Sequence, residues 1–157
     1  MTDLLAETGK IECKSISTPM DSNHKLGEVK EEPMVDKRMY QRLVGRLIYL
    51  AHTWPNIAYS VSMINQFMHD PREPHLQAAY RVLHYLKDNL EKGILFKKNN
   101  ALALEAYTDV DYAGSLVNRR STTGYCTFLG DNLVAWRSKK QNVVTRSFAE
   151  LEFRAIT

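Results

Sequence analysis

Apolar residues return at helical spacing in three stretches of this 157-residue chain and then switch to strict alternation. From Asp36 onward, Tyr40, Leu43, Val44, Leu47, Ile48 and Ala51 recur every three or four positions, which predicts an amphipathic helix with Arg38, Arg42 and Arg46 on another side. Pro55 ends that helix or starts the next, in which Ile57, Val61, Ile64 and Met68 form one stripe before Pro71 stops the run. A third helix is predicted over residues 74–89, carried by Leu76, Ala79, Tyr80, Leu83 and Leu86. Residues 36–89 therefore read as three packed helices. Ahead of them, residues 4–8 suit a helix end stopped by Gly9, and residues 15–33 mix Ser, Pro, Asn and acids without periodicity, as a linker or irregular arm does.

After Gly93 the period becomes that of a sheet. Residues 94–98 predict a first strand and Asn99-Asn100 a turn. In 101–111, Leu102, Leu104, Ala106, Thr108 and Val110 share one face while Glu105, Tyr107, Asp109 and Asp111 share the other. Residues 124–129 and 133–136, separated by Gly130-Asp131-Asn132, predict a hairpin, so three antiparallel strands in a meander are expected, with 143–146 extending the sheet. Ser147-Phe148-Ala149-Glu150 has the Ser-x-x-Glu spacing of a capping box and announces a helix toward Thr157. The fold class is α+β, divided into an arm (1–35), a helical segment (36–92) and a sheet segment (93–157).

Charge adds an asymmetry to this division. Residues 1–36 hold four Lys/Arg and eight Asp/Glu, a net −4, so the remainder of a chain of net charge +3 carries +7. A basic body invites an anionic partner such as nucleic acid through phosphate contacts and counterion release. No apolar run approaches the roughly 18 residues of a membrane span, and the start lacks the basic and apolar parts of a signal peptide, so no membrane partner and a cytoplasmic or nuclear location are expected. Cys13 and Cys126 stand far apart, without a second Cys or a His at metal-ligand spacing, and read as reduced core or loop residues. His24, His52, His69, His75 and His84 form no ligand pair and read as helix-surface or core-edge side chains.

Candidate chemistry concentrates where the sheet meets its following helix. Hard divalent cations want oxygen ligands, and an acid on a first strand with another in a first helix is a nuclease-like arrangement. Asp109, on the polar face at the end of an apolar strand, is the strand candidate, with Asp111 on the same face; both equally suit a strand-end turn beside Gly114. With Ser147 as N-cap, Glu150 reaches back to the cap, whereas Glu152 lies about 200° further round and is free to face the sheet, or to sit as an acid in the helix dipole. Arg119-Arg120 before Ser121-Thr122-Thr123, and Arg137, Lys139 and Lys140, are candidate phosphate contacts in basic loops. Tyr80, Tyr85 and Trp54 fit helix packing better than base stacking.

Several longer motifs run through both halves: Tyr40-Gln41-Arg42-Leu43-Val44-Gly45-Arg46-Leu47-Ile48-Tyr49-Leu50, Ala79-Tyr80-Arg81-Val82-Leu83-His84-Tyr85-Leu86-Lys87, Tyr107-Thr108-Asp109, Arg119-Arg120-Ser121-Thr122-Thr123-Gly124-Tyr125 and Ser138-Lys139-Lys140-Gln141. In this order they resemble the junction of reverse transcriptase and ribonuclease H in a plant Ty1/copia-type retrotransposon Pol polyprotein. The resemblance implies that 36–92 are reverse transcriptase thumb and connection helices. It implies that 93–157 are the N-terminal part of a ribonuclease H-like domain, an incomplete β-meander plus first helix. Asp109 and Glu152 then match catalytic carboxylates that hold Mg²⁺ or Mn²⁺, Arg119, Arg120, Lys139 and Lys140 become nucleic-acid contacts, and an RNA–DNA hybrid becomes the partner, with other Pol-derived chains as further partners. The family's remaining ribonuclease H aspartates and its paired polymerase aspartates have no counterpart in these residues. The expectation is thus a truncated segment inactive by itself, whose 101–111 strand has an open edge, or alternatively a non-catalytic nucleic-acid-binding module.

Overall fold

In the computed structural model, which describes residues 9, 14, 16–21, 26–28, 31–89, 93–98, 103–111, 120–142, 144, 147, 149–150 and 153, the first regular helix begins at a side-chain cap. Asp36 leaves the helical backbone and its Oδ1 accepts from the amides of Arg38 at 2.8 Å and Met39 at 3.1 Å, satisfying two of the donors that open α1, Lys37–Ala51. The predicted stripe is the buried one: Tyr40, Leu43, Val44 and Leu47. The chain then turns through Thr53, whose Oγ1 donates to the Leu50 carbonyl at 3.0 Å, and Pro55–Ile57 form a 3₁₀ turn leading into α2, Ala58–Asn65. Met68 was expected on the same helix. It lies instead in a run of tight turns, with the Phe67 amide bonded to the Ile64 carbonyl at 3.2 Å, so α2 is shorter than its apolar stripe. Helix α3, Glu73–Asp88, buries eight residues from His75 to Leu86.

These three helices and Leu26 share one core. Within it the Tyr40 hydroxyl donates to the Ile64 carbonyl at 2.7 Å, tying α1 to the last turn of α2. Burial pushes the Tyr40 phenol above its usual range because the low-dielectric surroundings disfavour the phenolate. The described residues of the stretch expected to be an irregular arm form no long element, yet they are attached. Leu26–Glu28 form a 3₁₀ turn, Leu26 is buried, and the Glu73 amide donates to the Pro33 carbonyl at 3.0 Å.

The second unit, Ile94–Thr157, holds an antiparallel sheet of order β1-β2-β3, with β1 at Leu104–Asp111, β2 at Thr122–Leu129 and β3 at Asn132–Lys140. Gly130 and Asp131 both have positive φ, 49° and 65°, the backbone of a two-residue type I′ hairpin turn whose twist matches the flanking strands. The hairpin is longer than predicted at both ends, and its register shifts at Thr127/Phe128, leaving Val134 as the extra residue of a bulge. Two further expectations need correction. Residues 94–98 form no strand; Asn132 holds them, its Oδ1 accepting from the Lys97 amide at 2.8 Å and its Nδ2 donating to the Lys97 carbonyl at 2.9 Å, so one side chain replaces a ladder. Lys139 and Lys140, expected in a loop, close β3. Among the described residues the structure is thus α+β, with the three helices α1–α3 and a three-stranded sheet; the turn at 99–100 and the sheet extension at 143–146, apart from Val144, lie outside the described residues.

Tyr40→Phe tests the core. Removing the hydroxyl leaves the Ile64 carbonyl buried without that donor, and the expected cost is about 1–3 kcal/mol in unfolding free energy, read from a urea titration with unchanged slope.

Candidate functional site

Strand alternation and the register together decide which candidate side chains meet. Asp109 pairs with Gly124, which pairs with Ser138, and two residues on Asp111, Thr122 and Lys140 form the next row. Asp109, Asp111 and Lys140 therefore share one sheet face. Asp109 is exposed at the edge strand, and a Cβ added at Gly124 would sit 3.9 Å from the Asp109 carbonyl oxygen, so the glycine opposite leaves the space beside the carboxylate open. On the same face the Tyr107 hydroxyl donates to Glu105 Oε2 at 2.8 Å, and that bond and charge raise the phenol above its ordinary value. Tyr107 also meets Phe128 edge-on, with ring centroids 5.9 Å apart.

Two carboxylates at i and i+2 are a thin donor set. Among the described residues no three His, Cys, Asp or Glu side chains gather as a metal site, and Glu152 lies outside the described residues. Mg²⁺ takes near-octahedral oxygen coordination and keeps water where protein oxygens are lacking. The described residues do not fit such an ion by themselves. The cap that placed Glu152 is present: Ser147 Oγ accepts from the Glu150 amide at 3.1 Å.

The four candidate cations separate. Arg119 lies outside the described residues, while Arg120 is exposed at the entrance to β2. Lys140 shares the acidic face and is half-buried; burial and then the charge of Arg120 lower its ammonium from the usual value. Lys139 falls on the opposite face, in the row of Val110 and Thr123, beside the row of Thr108, Tyr125 and Arg137. Adjacent in sequence, the two lysines cannot form one patch on a pleated strand.

A different surface gathers cations, and it was visible in the sequence only as three arginines off the apolar stripe. Arg38, Arg42 and Arg46 recur every fourth residue on the exposed side of α1, about 6 Å apart along the axis. Tyr49, 76% exposed, continues the row. Gly45 lies among them, with no atom within 4 Å of where its Cβ would be. A glycine in mid-helix weakens the helix by about 0.5–1 kcal/mol relative to alanine. No neighbour within the protein requires it, so the bare backbone is open to whatever approaches from outside. The missed signal was this glycine, far from either helix end and flanked by arginines.

Among known proteins, the chain is 45% identical over 154 residues to the Retrovirus-related Pol polyprotein from transposon RE1 of Arabidopsis thaliana, a match covering 98% of the chain and 10% of that protein. It is 42% identical over 154 residues to the corresponding polyprotein from transposon RE2 of the same plant, covering 98% of the chain and 11% of that protein. An uncharacterized mitochondrial protein of Arabidopsis thaliana is 40% identical over 154 residues, covering 98% of the chain and 63% of that protein. The chain thus spans about a tenth of the length of the two polyproteins it matches. No protein-family model and no solved structure matches it.

Gly45→Ala is expected to stabilise the protein by about 0.5–1 kcal/mol, since the added methyl meets open space and helix propensity improves. Urea denaturation reads the change, and a loss of stability would show that the position is packed after all.

Proposed function

The chain belongs to the family of retrovirus-related Pol polyproteins of Ty1/copia-type transposons, and from that membership we propose that it is the reverse transcriptase–ribonuclease H junction, a segment that grips nucleic acid. The observation that carries this reading is the outer face of α1. Three guanidiniums at one-turn intervals match a polyanion, each phosphate neutralised releasing condensed counterions. Gly45 lets the ligand backbone come close to the helix, and Tyr49 offers a ring beside it. Lys140 with the nearby Arg120, and on the opposite sheet face Lys139 with Arg137, are secondary phosphate contacts; Arg119, proposed with them from the sequence, lies outside the described residues. The ligand class is an RNA–DNA hybrid or a related duplex, and the proposed place of action is the cytoplasm or nucleus.

The reaction assigned to the family resemblance is the copying of RNA into DNA and hydrolysis of the RNA strand of the hybrid. In that reading Asp109 and Glu152 are ligands of Mg²⁺ or Mn²⁺, which supplies charge neutralisation and an activated water when bound. In this reading Asp109 and Glu152 are too few carboxylates to fix two such ions, so the segment by itself binds without cutting. Hydrolysis requires oxygen donors from further Pol-derived sequence, in the same chain or another.

Binding of a labelled RNA–DNA hybrid across a salt series tests the grip. Replacing Arg38, Arg42 and Arg46 by alanine is expected to flatten the slope of log K against log salt by about 1 for each lost contact. An unchanged slope would remove α1 from the interface. In the same preparation no Mg²⁺- or Mn²⁺-dependent cleavage is expected, and cleavage that disappears in Asp109→Asn would overturn the non-catalytic part of the reading.

A further inference from the structure

The arm that the sequence pattern left without structure is fastened to α3 at defined points, and one of them depends on an uncharged histidine. His75 is 3% exposed in the first turn of α3. Its Nδ1 accepts from the Arg72 amide at 2.9 Å. A backbone amide can only donate, so Nδ1 carries no proton and the proton sits on Nε2, which donates to the Leu26 carbonyl at 2.9 Å. Phe67 stacks on the ring, with centroids 3.9 Å apart and planes 11° from parallel. One neutral imidazole thus closes the helix start, holds the arm at Leu26 and fills a slot against an aromatic ring.

We propose that His75 is an acid-sensitive latch, and that its protonation releases the arm of residues 16–35 from α3 while the three-helix core stays folded. A proton added at Nδ1 would face the Arg72 amide donor to donor, so the first-turn bond must break and the ring must move. Among the described residues, the charged groups acting on the ring are Asp70, which favours the cation, and Arg72, which opposes it. The Leu26 carbonyl bonded to Nε2 also favours the cation, but burial is the largest influence and holds the imidazole below its ordinary value. The sign follows from linkage. A depressed histidine leaves the closed form fully stable above the ordinary value near 6.5, and its advantage shrinks as pH falls from there toward the lowered value, because the open form takes the proton more readily.

The rest of the arm is suited to partial release. Near its start, Arg81 donates to the Thr18 carbonyl and hydroxyl at 3.2 and 3.0 Å. Near its end, Arg72 Nη1 donates to the Glu32 carbonyl at 3.1 Å and the Val35 amide to the Pro71 carbonyl at 3.3 Å. The described arm residues Ile16, Met20 and Leu26 line a cleft of about 350 Å³ with Ala78 and Tyr80 of α3. A strap over a cleft gives up less packing on opening than one seated flush. Leu26 is the buried apolar side chain it must withdraw from the core, and Met20 and Val35 pack against that core partly buried.

Hydrogen exchange followed by mass spectrometry on the whole chain at pH 7.5 and 5.5, corrected for the intrinsic pH dependence of exchange, tests the latch. Peptides covering 26–35 are expected to lose protection at pH 5.5, by up to about tenfold, the limit set by the one unit between the ordinary histidine value near 6.5 and this pH, while peptides covering 40–65 keep theirs. His75→Gln supplies an acceptor for the Arg72 amide and a donor for Leu26 without a titrating group, and it should abolish the pH response. An arm with equal protection at both pH values, an equal response in His75→Gln, or simultaneous loss across 40–65 would each overturn the proposal. If His75→Gln does not fold, an NMR titration of the His75 ring in the unaltered chain decides, and an ordinary or raised titration midpoint would overturn it.

Discussion

Helix α3 carries more apolar surface than one neighbouring helix can cover, and the organisation of the first unit follows from this. Its buried residues, His75, Leu76, Ala78, Ala79, Val82, Leu83, Tyr85 and Leu86, span about half the circumference at 100° per residue. A helix facing a single core presents a narrower stripe. The α1–α2 pair covers part of that arc. Ala78 instead lines a cleft with Ile16, Met20 and Leu26, and His75 meets Leu26, so residues ahead of α1 must lie along α3 to complete the burial. The polar ties from Arg72 and Arg81 fix their course, and a histidine becomes a core residue because it can satisfy two backbone groups that this crossing would otherwise leave unmet.

The helices were legible because their burial follows a local period. Tyr40, Leu43, Val44 and Leu47 occupy the predicted stripe of α1, and Asp36 and the Gly130-Asp131 turn act through chemistry confined to a few residues. Legibility ended where a partner distant in sequence decided the outcome. Residues 94–98 begin with the apolar run Ile94-Leu95-Phe96 that suits a strand, yet the side chain of Asn132 occupies Lys97. Met68 fits the stripe of α2, but its carbonyl accepts from Gln41 Nε2 on α1 at 3.0 Å, within a stretch that has left the helix. The arm has no period of its own because it takes its conformation from α3. His75 looked like one more helix-edge histidine, since both of its partners are backbone atoms, which leave no mark in a sequence.

The candidate site shows the same division. That Asp109 and Asp111 share a face follows from alternation alone and could be read directly. That Lys139 and Lys140 separate follows from the same rule, but only once β3 is known to reach Lys140; a run of basic residues reads as a loop until the register of Thr122 and Thr123 with those lysines draws them into the sheet. The face of α1 needed no tertiary knowledge, only attention to Gly45 as a residue that weakens its helix without serving a turn, a cap or a close internal contact.

This difference bears on which activity such a segment retains. A binding surface built on one helix needs only that helix to form and one side of it to be packed, and α1 has both within residues 36–89. A metal centre needs carboxylates from elements far apart in sequence, held to within a few tenths of an ångström, and each donor missing from the set leaves the ion to water. Salt-dependent contact with a polyanion falls off gradually as cations are lost, whereas coordination fails at once when its geometry is incomplete. The two functions proposed for this chain therefore differ in robustness: the proposed contact with nucleic acid rests on a part of the sequence that is locally self-sufficient, and the proposed cutting would need further carboxylates brought to Asp109.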